Sequence, residues 1–368
     1  MQLPCEKIFN SGAKLKVKII GCGLIGSSIA LRLAQNGHKI WLEDSSSKNL
    51  ILAQDLLGAE LEQAEIYDLI VIAVPVPEIS KVIENLESFN NETTVIDVGG
   101  LKSQVISKVE SLPEIRNRYV STHPMAGREF SGPQNARADL FEGRAWIVTP
   151  SKYSEGSAIK LAASVGEELG STSYQLEANQ HDEAIAAISH IPQIFSSLLG
   201  ALVNSENDDS LNFAGQGLRD VSRLADSDPN LWTQLLLLNK EELVPRLKLA
   251  KSKLDELQKA IEVGDGQRIY SFLNEGKMGK AKIPGKHGAK NRNYSYLPIV
   301  IDDKPGQLAN IFDECAIVGV NVEDLMIEHS PKQSTGLITL SLSREDAVKL
   351  REHLNLKGWR VHEISESV

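Results

Sequence analysis

The chain has 368 residues, more than a single hydrophobic core usually organises, so two or three domains are expected. Its formal net charge of -10 argues against nucleic acid or an anionic membrane as a general partner, and any pocket for an anionic substrate must supply its own cations. Cys5, Cys22 and Cys315 are odd in number, far apart and without metal spacing, which fits reduced thiols and gives no metal site; with no signal-peptide core and no apolar run approaching the roughly 20 residues of a membrane span, the expected location is cytoplasmic.

An apolar strand at residues 17–20 runs into Gly21, Gly23 and Gly26 and then into an amphipathic helix. Each glycine has a separate task in a dinucleotide-binding turn. Gly21 permits the tight turn, Gly23 lets the backbone approach a pyrophosphate, and Gly26 lets helix and strand lie close, while Leu24 and Ile25 open the helix whose N-terminus faces the phosphates. A second strand at 39–42 leads to Asp44, and strand, helix and acid in this order set the motif apart from an ordinary βα turn. A carboxylate at Asp44 accepts hydrogen bonds from ribose hydroxyls and repels a 2′-phosphate, so NAD is favoured over NADP. Glu43 alternates to the other strand face and reads as solvated.

Further strands are expected at 69–74, 94–98, 119–122 and 145–149, then a helix at 157–169 and a strand near 173–176. This alternation means a mostly parallel sheet with helices on both faces, a Rossmann-type domain over residues 15–178. The third strand ends in a proline turn at Val74 and Pro75, as happens where a strand's carboxyl end opens onto a cofactor. From 179 to 276 the pattern becomes all-helical, with helices expected at 182–187, 193–203, 231–238 and 243–263. The run from Leu235 to Leu238 is too apolar for a simple surface helix and reads as deep core or a dimer seam, the seam being preferred. Residues 277–293, rich in Gly and Lys, read as a solvated basic linker, the alternative being that Lys286 or His287 reaches over the active site. Residues 294–368 give strand, helix, two strands, helix and strand, a βαββαβ module of ferredoxin-like type.

Three polar islands follow the glycine loop. STHPMAGRE carries His123, which titrates near neutral pH, directly after a strand that ends beside the nicotinamide. SHIPQ, with His190, interrupts a helix of the second domain. GQGLRDVSR sets Asp220 and Arg223 three apart on one helical face, where they can pair while the guanidinium faces a ligand. Taken singly, a loop histidine is more often structural, and an Asp/Arg pair at this spacing is usually a surface ion pair worth under about 1 kcal/mol.

In order and wording, GCGLIGSS, DVGGLKS, THPMAGREFSG, SHIPQ, GLRDVSRLADSDPNLW and IPGKHG resemble the prephenate/arogenate dehydrogenases of tyrosine biosynthesis over roughly residues 15 to 290. The resemblance implies oxidative decarboxylation of a cyclohexadienol, with NAD as hydride acceptor, prephenate or arogenate as substrate, and a homodimer. It assigns His123 as the acceptor of the 4-hydroxyl hydrogen bond, Arg223 as the clamp on a substrate carboxylate and Asp220 as the group orienting it. It also sets His190 near the substrate, Glu129 as a pocket-gating acid, and Lys102 beside the substrate after the fourth strand. The last segment, with DKPGQLANIF and GVNVEDL, looks like an ACT domain, which implies feedback by tyrosine with Asp303, Gly306 and Asn321 as effector residues.

Two departures stand out. Gly100 occupies the place of a serine that in many bacterial members helps position nicotinamide and 4-hydroxyl, and Gln193 replaces a histidine common in prephenate-specific relatives. The substrate side chain, pyruvyl or alanyl, is open at this point, with Asp228 and Glu129 both available to an ammonium group. A β-hydroxyacid-type dehydrogenase would need a lysine base in the helical domain, and the SHIPQ island has none. An amino-acid-sensing inactive relative, suggested by Gly100 and the ACT-like end, would have had no reason to keep His123, Arg223 and the glycine loop together.

Overall fold

A computed structural model describes residues 14–58, 66–87, 89–126, 132–283, 294–329 and 334–366. The chain divides into two compact units between Lys253 and Leu254.

The first unit opens with β1 (Lys16–Ile20), α1 (Leu24–Gln35), β2 (Lys39–Glu43), α2 (Ser47–Leu57), β3 (Leu69–Ile72), α3 (Val76–Glu84), β4 (Thr94–Asp97), α4 (Ser103–Glu110) and β5 (Tyr119–Pro124). It continues with β6 (Ala145–Pro150), α5 (Gly156–Glu168) and β7 (Thr172–Gln175). These strands form one seven-stranded sheet in the order β2-β1-β3-β4-β5-β6-β7. Strands β1 to β5 are parallel, β6 runs against β5, and β7 follows β6. The central strands LIVI and TVID are buried at every position, as parallel strands covered on both faces must be. Alternate residues feed two cores: Val17, Ile19, Val71, Ile96 and Trp146 on one face, and Ile20, Ile70, Ile72, Val95 and Tyr119 on the other.

Two strand ends differ from the sequence pattern by two residues. β3 stops at Ile72, two residues early, because the chain turns at Ala73 and Val74 for Pro75 to cap α3. β5 runs two residues past Thr122, because antiparallel β6 supplies partners there: His123 faces Ile147 and Pro124 faces Trp146. His123 therefore belongs to a strand end and not to a loop.

Helices follow: α6 (Ala178–Ile185), α7 (Ile191–Val203), α8 (Asp208–Leu211), α9 (Gln216–Ser222), α10 (Pro229–Leu238), α11 (Lys240–Glu262) and α12 (Gly266–Lys280). α6 and α7 are joined by a single π-helical turn, Ala186–His190, so SHIPQ does not interrupt the helix but widens one turn of it. The joined run Ala178–Val203 is, by length and composition, apolar enough to cross a membrane, which corrects the expectation that no such run exists. It also carries His181, Asp182, His190 and Gln193, all buried and hydrogen-bonded to neighbouring elements, which is the pattern of a packed helix in a folded domain. α10 buries none of its residues and Leu237 is 65% exposed, so the apolar run there is a surface.

The second unit takes the end of α11, α12 and then β8 (Ser295–Asp302), α13 (Gln307–Val318), β9 (Asp324–His329), β10 (Thr335–Leu342), α14 (Arg344–Leu356) and β11 (Arg360–Val361). α12 continues to Lys280, so the first four residues expected in the linker are helical; Gly276 and Gly279 weaken a helix without ending it. The four strands form an antiparallel sheet in the order β11-β8-β10-β9. β8 alternates strictly, sending Leu297, Ile299 and Ile301 into a core with Ile311, Leu350 and Leu354.

Close approach accounts for two of the three loop glycines. Gly21 has φ +104°, and a Cβ on it would lie 2.5 Å from the Ala73 carbonyl oxygen. A Cβ on Gly26 would lie 2.0 Å from the Gly21 oxygen, whereas nothing lies within 4 Å of one on Gly23. Gly26→Ala is expected to cost about 1–3 kcal/mol, lowering Tm by about 2–4 °C per kcal/mol, and Gly23→Ala to leave Tm unchanged. Scanning calorimetry of both variants reads the contrast, and equal melting would contradict it.

Candidate active site

The carboxyl ends of β1, β2 and β3 meet at the glycine loop. Gly21 N–H donates to the Glu43 carbonyl at 2.7 Å and Ala73 N–H to the Ile20 carbonyl at 2.7 Å, which draws Val74 and Pro75 up beside the loop. Gly23 caps α1 with open space at its Cβ position, the place where a pyrophosphate can approach backbone N–H groups. Asp44 holds the rim, accepting from Cys22 N–H at 2.6 Å and Ser46 N–H at 2.7 Å. Leu24 is buried beneath the loop and Ile25 packs against the core. Burial, with Asp44 and Glu43 nearby, pushes the Cys22 thiol up to about 12, so it stays protonated and acts as packing. These residues fit a dinucleotide.

Beside this cradle lies a buried polar knot. Asp97, at the end of β4, accepts from the Lys102 ammonium at 2.7 Å, the Tyr119 hydroxyl at 2.7 Å, the Gly99 N–H at 2.8 Å and the Ser121 hydroxyl. Lys102 also donates to the Thr122 carbonyl at 2.6 Å. Burial lowers the Lys102 ammonium from its usual value, opposed by Asp97, and burial with Asp97 alongside raises the Tyr119 hydroxyl. Lys102 has no solvent exposure, so the expectation that it touches substrate is corrected: its charge is committed to Asp97.

His123 follows Thr122. Its Nδ1 lies 2.8 Å from His181 Nε2, and His181 Nδ1 lies 2.8 Å from Asp182 Oδ1. Asp182 also accepts from Lys102 N–H and Ser103 N–H, each at 2.9 Å, so the second turn of α6 caps the start of α4. Burial holds His123 well below the usual imidazole range, helped by His181, Lys102 and His190. Burial also lowers His181, with Asp182 opposing. For Asp182, burial would raise the carboxyl, but the bonds from His181, Ser103 and Lys102 outweigh it and hold it below its usual value.

His190, on the π turn, takes Asn239 Nδ2 at 3.2 Å on its Nδ1 and meets the Trp232 ring edge to face at 5.7 Å. Burial drives it down to about 4 although Asp182 opposes. A Cβ on Gly100 would lie 3.5 Å from Leu235 Cδ2 and 4.0 Å from His123 Nε2, so Gly100 leaves that nitrogen's side uncrowded and a serine would fit there.

Arg223 begins a 3-10 turn, Arg223–Asp226, immediately after α9 ends at Ser222. The turn is tied to α7: Gln193 donates to the Leu224 carbonyl at 2.8 Å, and Ala225 N–H donates to Ser196 at 3.1 Å. Gln193 is thus a buried brace for the turn bearing Arg223. Asp220 accepts from Gln216 at 2.7 Å, and Asp228 caps α10 through Asn230 N–H at 2.9 Å. Glu129 lies outside the described residues, as do Lys286 and His287.

The structure therefore gathers Gly100, Lys102, His123 and His190 and adds His181, Asp182, Asp97 and Asn239, which were not anticipated. A histidine-acid dipeptide within a short helix and a lone aspartate ending the apolar strand TVID are the signals that could have found three of them.

In the second unit, Asp303 N–H donates to the Ser334 carbonyl at 2.9 Å, Gly306 caps α13 with φ +87°, and Asn321 donates to Glu323 at 3.0 Å. A cleft of about 250 Å³ nearby is lined by Asp302, Gln307, Asn310, Lys357, Trp359 and Arg360.

Residues 29–175 match the family described as prephenate dehydrogenase, nucleotide-binding domain, and residues 177–275 the one described as prephenate dehydrogenase, dimerization domain. The probable prephenate dehydrogenase NovF of Streptomyces niveus is 31% identical over 353 residues, 93% of this chain and 98% of that protein. The solved prephenate dehydrogenase of A. aeolicus, in complex with hydroxyphenyl propionate and NAD+, is 26% identical with a TM-score of 0.66, covering 74% of this chain and 99% of its own. Synechocystis arogenate dehydrogenase is also 26% identical, with a TM-score of 0.61 over 73% of this chain and 99% of its own.

The histidine cluster, with His181 and His190 buried and His123 half-buried, makes stability depend on pH. His123, His181 and His190 bind protons more weakly folded than unfolded, where imidazole titrates near 6.5. Their contribution is therefore full above about pH 6.5 and lost as pH falls towards the folded values, at up to about 1.4 kcal/mol per pH unit for each. Urea unfolding at pH 7, 6 and 5 should show falling stability, with a shallower fall in His190→Gln. A flat profile would contradict the cluster's burial.

Proposed function

The chain belongs to the prephenate dehydrogenase family, and from that membership we propose that His123 is its catalytic base and Arg223 its substrate clamp. The enzyme is an NAD-dependent oxidoreductase that oxidises and decarboxylates prephenate to 4-hydroxyphenylpyruvate. When bound, NAD accepts a hydride at its nicotinamide ring.

The observation that carries the assignment is a half-buried imidazole at the end of β5, held well below the usual imidazole range, with Gly100 leaving its Nε2 uncrowded. As hydride leaves ring carbon C4, His123 takes the proton of the 4-hydroxyl. The C1–carboxylate bond then breaks, its electron pair stays in the ring, CO2 departs and the ring becomes aromatic. His123 returns the proton to the phenolate oxygen, so no net proton is released. A base held below the usual imidazole range suits both halves: it is unprotonated at neutral pH and gives the proton back readily. Arg223 supplies the planar fork that a carboxylate needs, from a turn braced by Gln193 and Ser196. His190 accepts at Nδ1 from Asn239, so its Nε2 carries hydrogen and serves as a donor to the substrate. Glu129 keeps its assignment as a gating acid.

Arogenate is the second reading, favoured by the likeness to Synechocystis arogenate dehydrogenase. The domains divide as 15–178 for NAD, 179–280 for substrate and dimerisation, a linker from 281 to 293, and 294–368 for regulation. A homodimer accounts for the apolar surface at Leu198, Leu202, Phe213, Leu231 and Leu237 and for the match to a dimerization domain. The working location is the cytoplasm.

The C-terminal βαββαβ sheet supports an ACT-type regulatory module binding tyrosine at Asp303, Gly306 and Asn321.

Purified protein mixed with prephenate or arogenate, each with NAD or NADP, should reduce the nicotinamide with prephenate and NAD. In that assay His123→Asn should lower turnover about 10² to 10⁴-fold with near-normal NAD binding, and Arg223→Ala should raise KM for substrate far more than for cofactor. Silence with all four pairs would overturn the function, and undiminished turnover in His123→Asn would move the base elsewhere. Tyrosine should inhibit the full chain, and Asp303→Ala should relieve that inhibition with kcat unchanged. Equal inhibition of both proteins would remove the effector assignment.

A further inference from the structure

We propose that His181, backed by Asp182, is a positioning residue that fixes the tautomer of His123 so that Nε2, and not Nδ1, is the basic nitrogen. This rests on the reading of His123 as the base.

Hydrogen-bond bookkeeping along the chain of three groups leaves one arrangement. Asp182 accepts two backbone N–H groups, from Lys102 and Ser103, in addition to its contact with His181, which is the environment of an ionised carboxylate. A carboxylate only accepts, so the 2.8 Å contact requires His181 Nδ1 to carry the hydrogen. Neutral His181 then has a bare Nε2, and the 2.8 Å contact to His123 requires His123 Nδ1 to donate. Neutral His123 is left with a lone pair on Nε2, the nitrogen on the Gly100 side.

The opposite state, with His181 protonated, is disfavoured by burial. Were His181 protonated, its Nε2–H would point at His123 Nδ1, and His123 would present Nε2–H, a donor with no capacity to take a proton. The groups facing His181 are Asp182 on its own helix, Lys102 and Asp97 from the β4 to α4 connection, His123 from β5 and His190 from the π turn. Lys102 disfavours a second cation there, the two carboxylates favour one, and burial, the largest influence, keeps His181 neutral. When His123 accepts the substrate proton, its Nδ1–H bond to His181 becomes charge-assisted, so the pair also steadies the transient imidazolium.

A purely structural role for His181 would tax folding and cofactor binding along with turnover. The proposal instead separates them. In His181→Leu, kcat should fall about 10²-fold or more while the Kd for NAD and the KM for prephenate stay within about twofold. An unchanged kcat would overturn the proposal, as would a fall in kcat matched by equal losses in NAD and substrate binding. Nitrogen-15 NMR of histidine-labelled wild-type protein, with His123 assigned from the missing signal in His123→Asn, reads the tautomer without relying on the leucine variant folding. Hydrogen on Nδ1 supports the proposal and hydrogen on Nε2 overturns it. Full turnover in His123→Asn would instead overturn the base reading and take the proposal with it, whereas loss in His123→Asn with none in His181→Leu would overturn the proposal alone.

Discussion

The ion pair between Asp97 and Lys102 is the constraint from which the rest of the site hangs. Both side chains are wholly buried, 2.7 Å apart, in a region where an uncompensated charge costs several kcal/mol. Such a pair is tolerable only when its remaining lone pairs and hydrogens are also satisfied, and here they are: Tyr119, Ser121 and Gly99 donate to the carboxylate, and the ammonium reaches the Thr122 carbonyl. Those partners sit on β5 and on the turn after β4. One buried pair therefore fixes the residue before His123 and the turn carrying Gly100.

The helical region is registered on the same turn. Asp182 takes the N–H groups of Lys102 and Ser103, so α6 is set by the backbone of the residue whose side chain neutralises Asp97. From α6 the placement passes along one continuous helix. Its π turn brings His190 against Trp232 and Asn239, and α7 beyond it braces the turn that bears Arg223. The order of the chain thus becomes an order of dependence: the sheet end sets α6, α6 sets the π turn, and α7 sets the clamp.

What the sequence makes legible follows from how local each constraint is. The glycine loop can be read directly because Gly21 and Gly26 answer to backbone geometry within a few residues and one adjoining strand. The two sheets were likewise legible in alternation and in strand-helix order. His123 was found, but its seat was taken for a loop, since its strand is prolonged by pairing with β6, more than 20 residues on. Lys102 was placed beside the substrate by the resemblance alone, and the buried Asp97 that takes its charge is visible only in the fold. The His181-Asp182 dipeptide was the one sequence signal for that pair, and its meaning lies in partners on α4 and β5. Gln193 stood out only as a departure from a family histidine, and its part as a brace is visible only once α7 and the following turn are packed.

The central claim is that this framework serves hydride removal from ring carbon C4 coupled to loss of the C1 carboxylate. Prephenate carrying deuterium at C4 tests it directly, with the label and the released CO2 followed in the same reaction. The account predicts deuterium in the reduced nicotinamide, one CO2 for each, and slower turnover than with the unlabelled substrate if hydride transfer limits the rate. Reduced nicotinamide that lacks the label, or that forms without CO2, would contradict it.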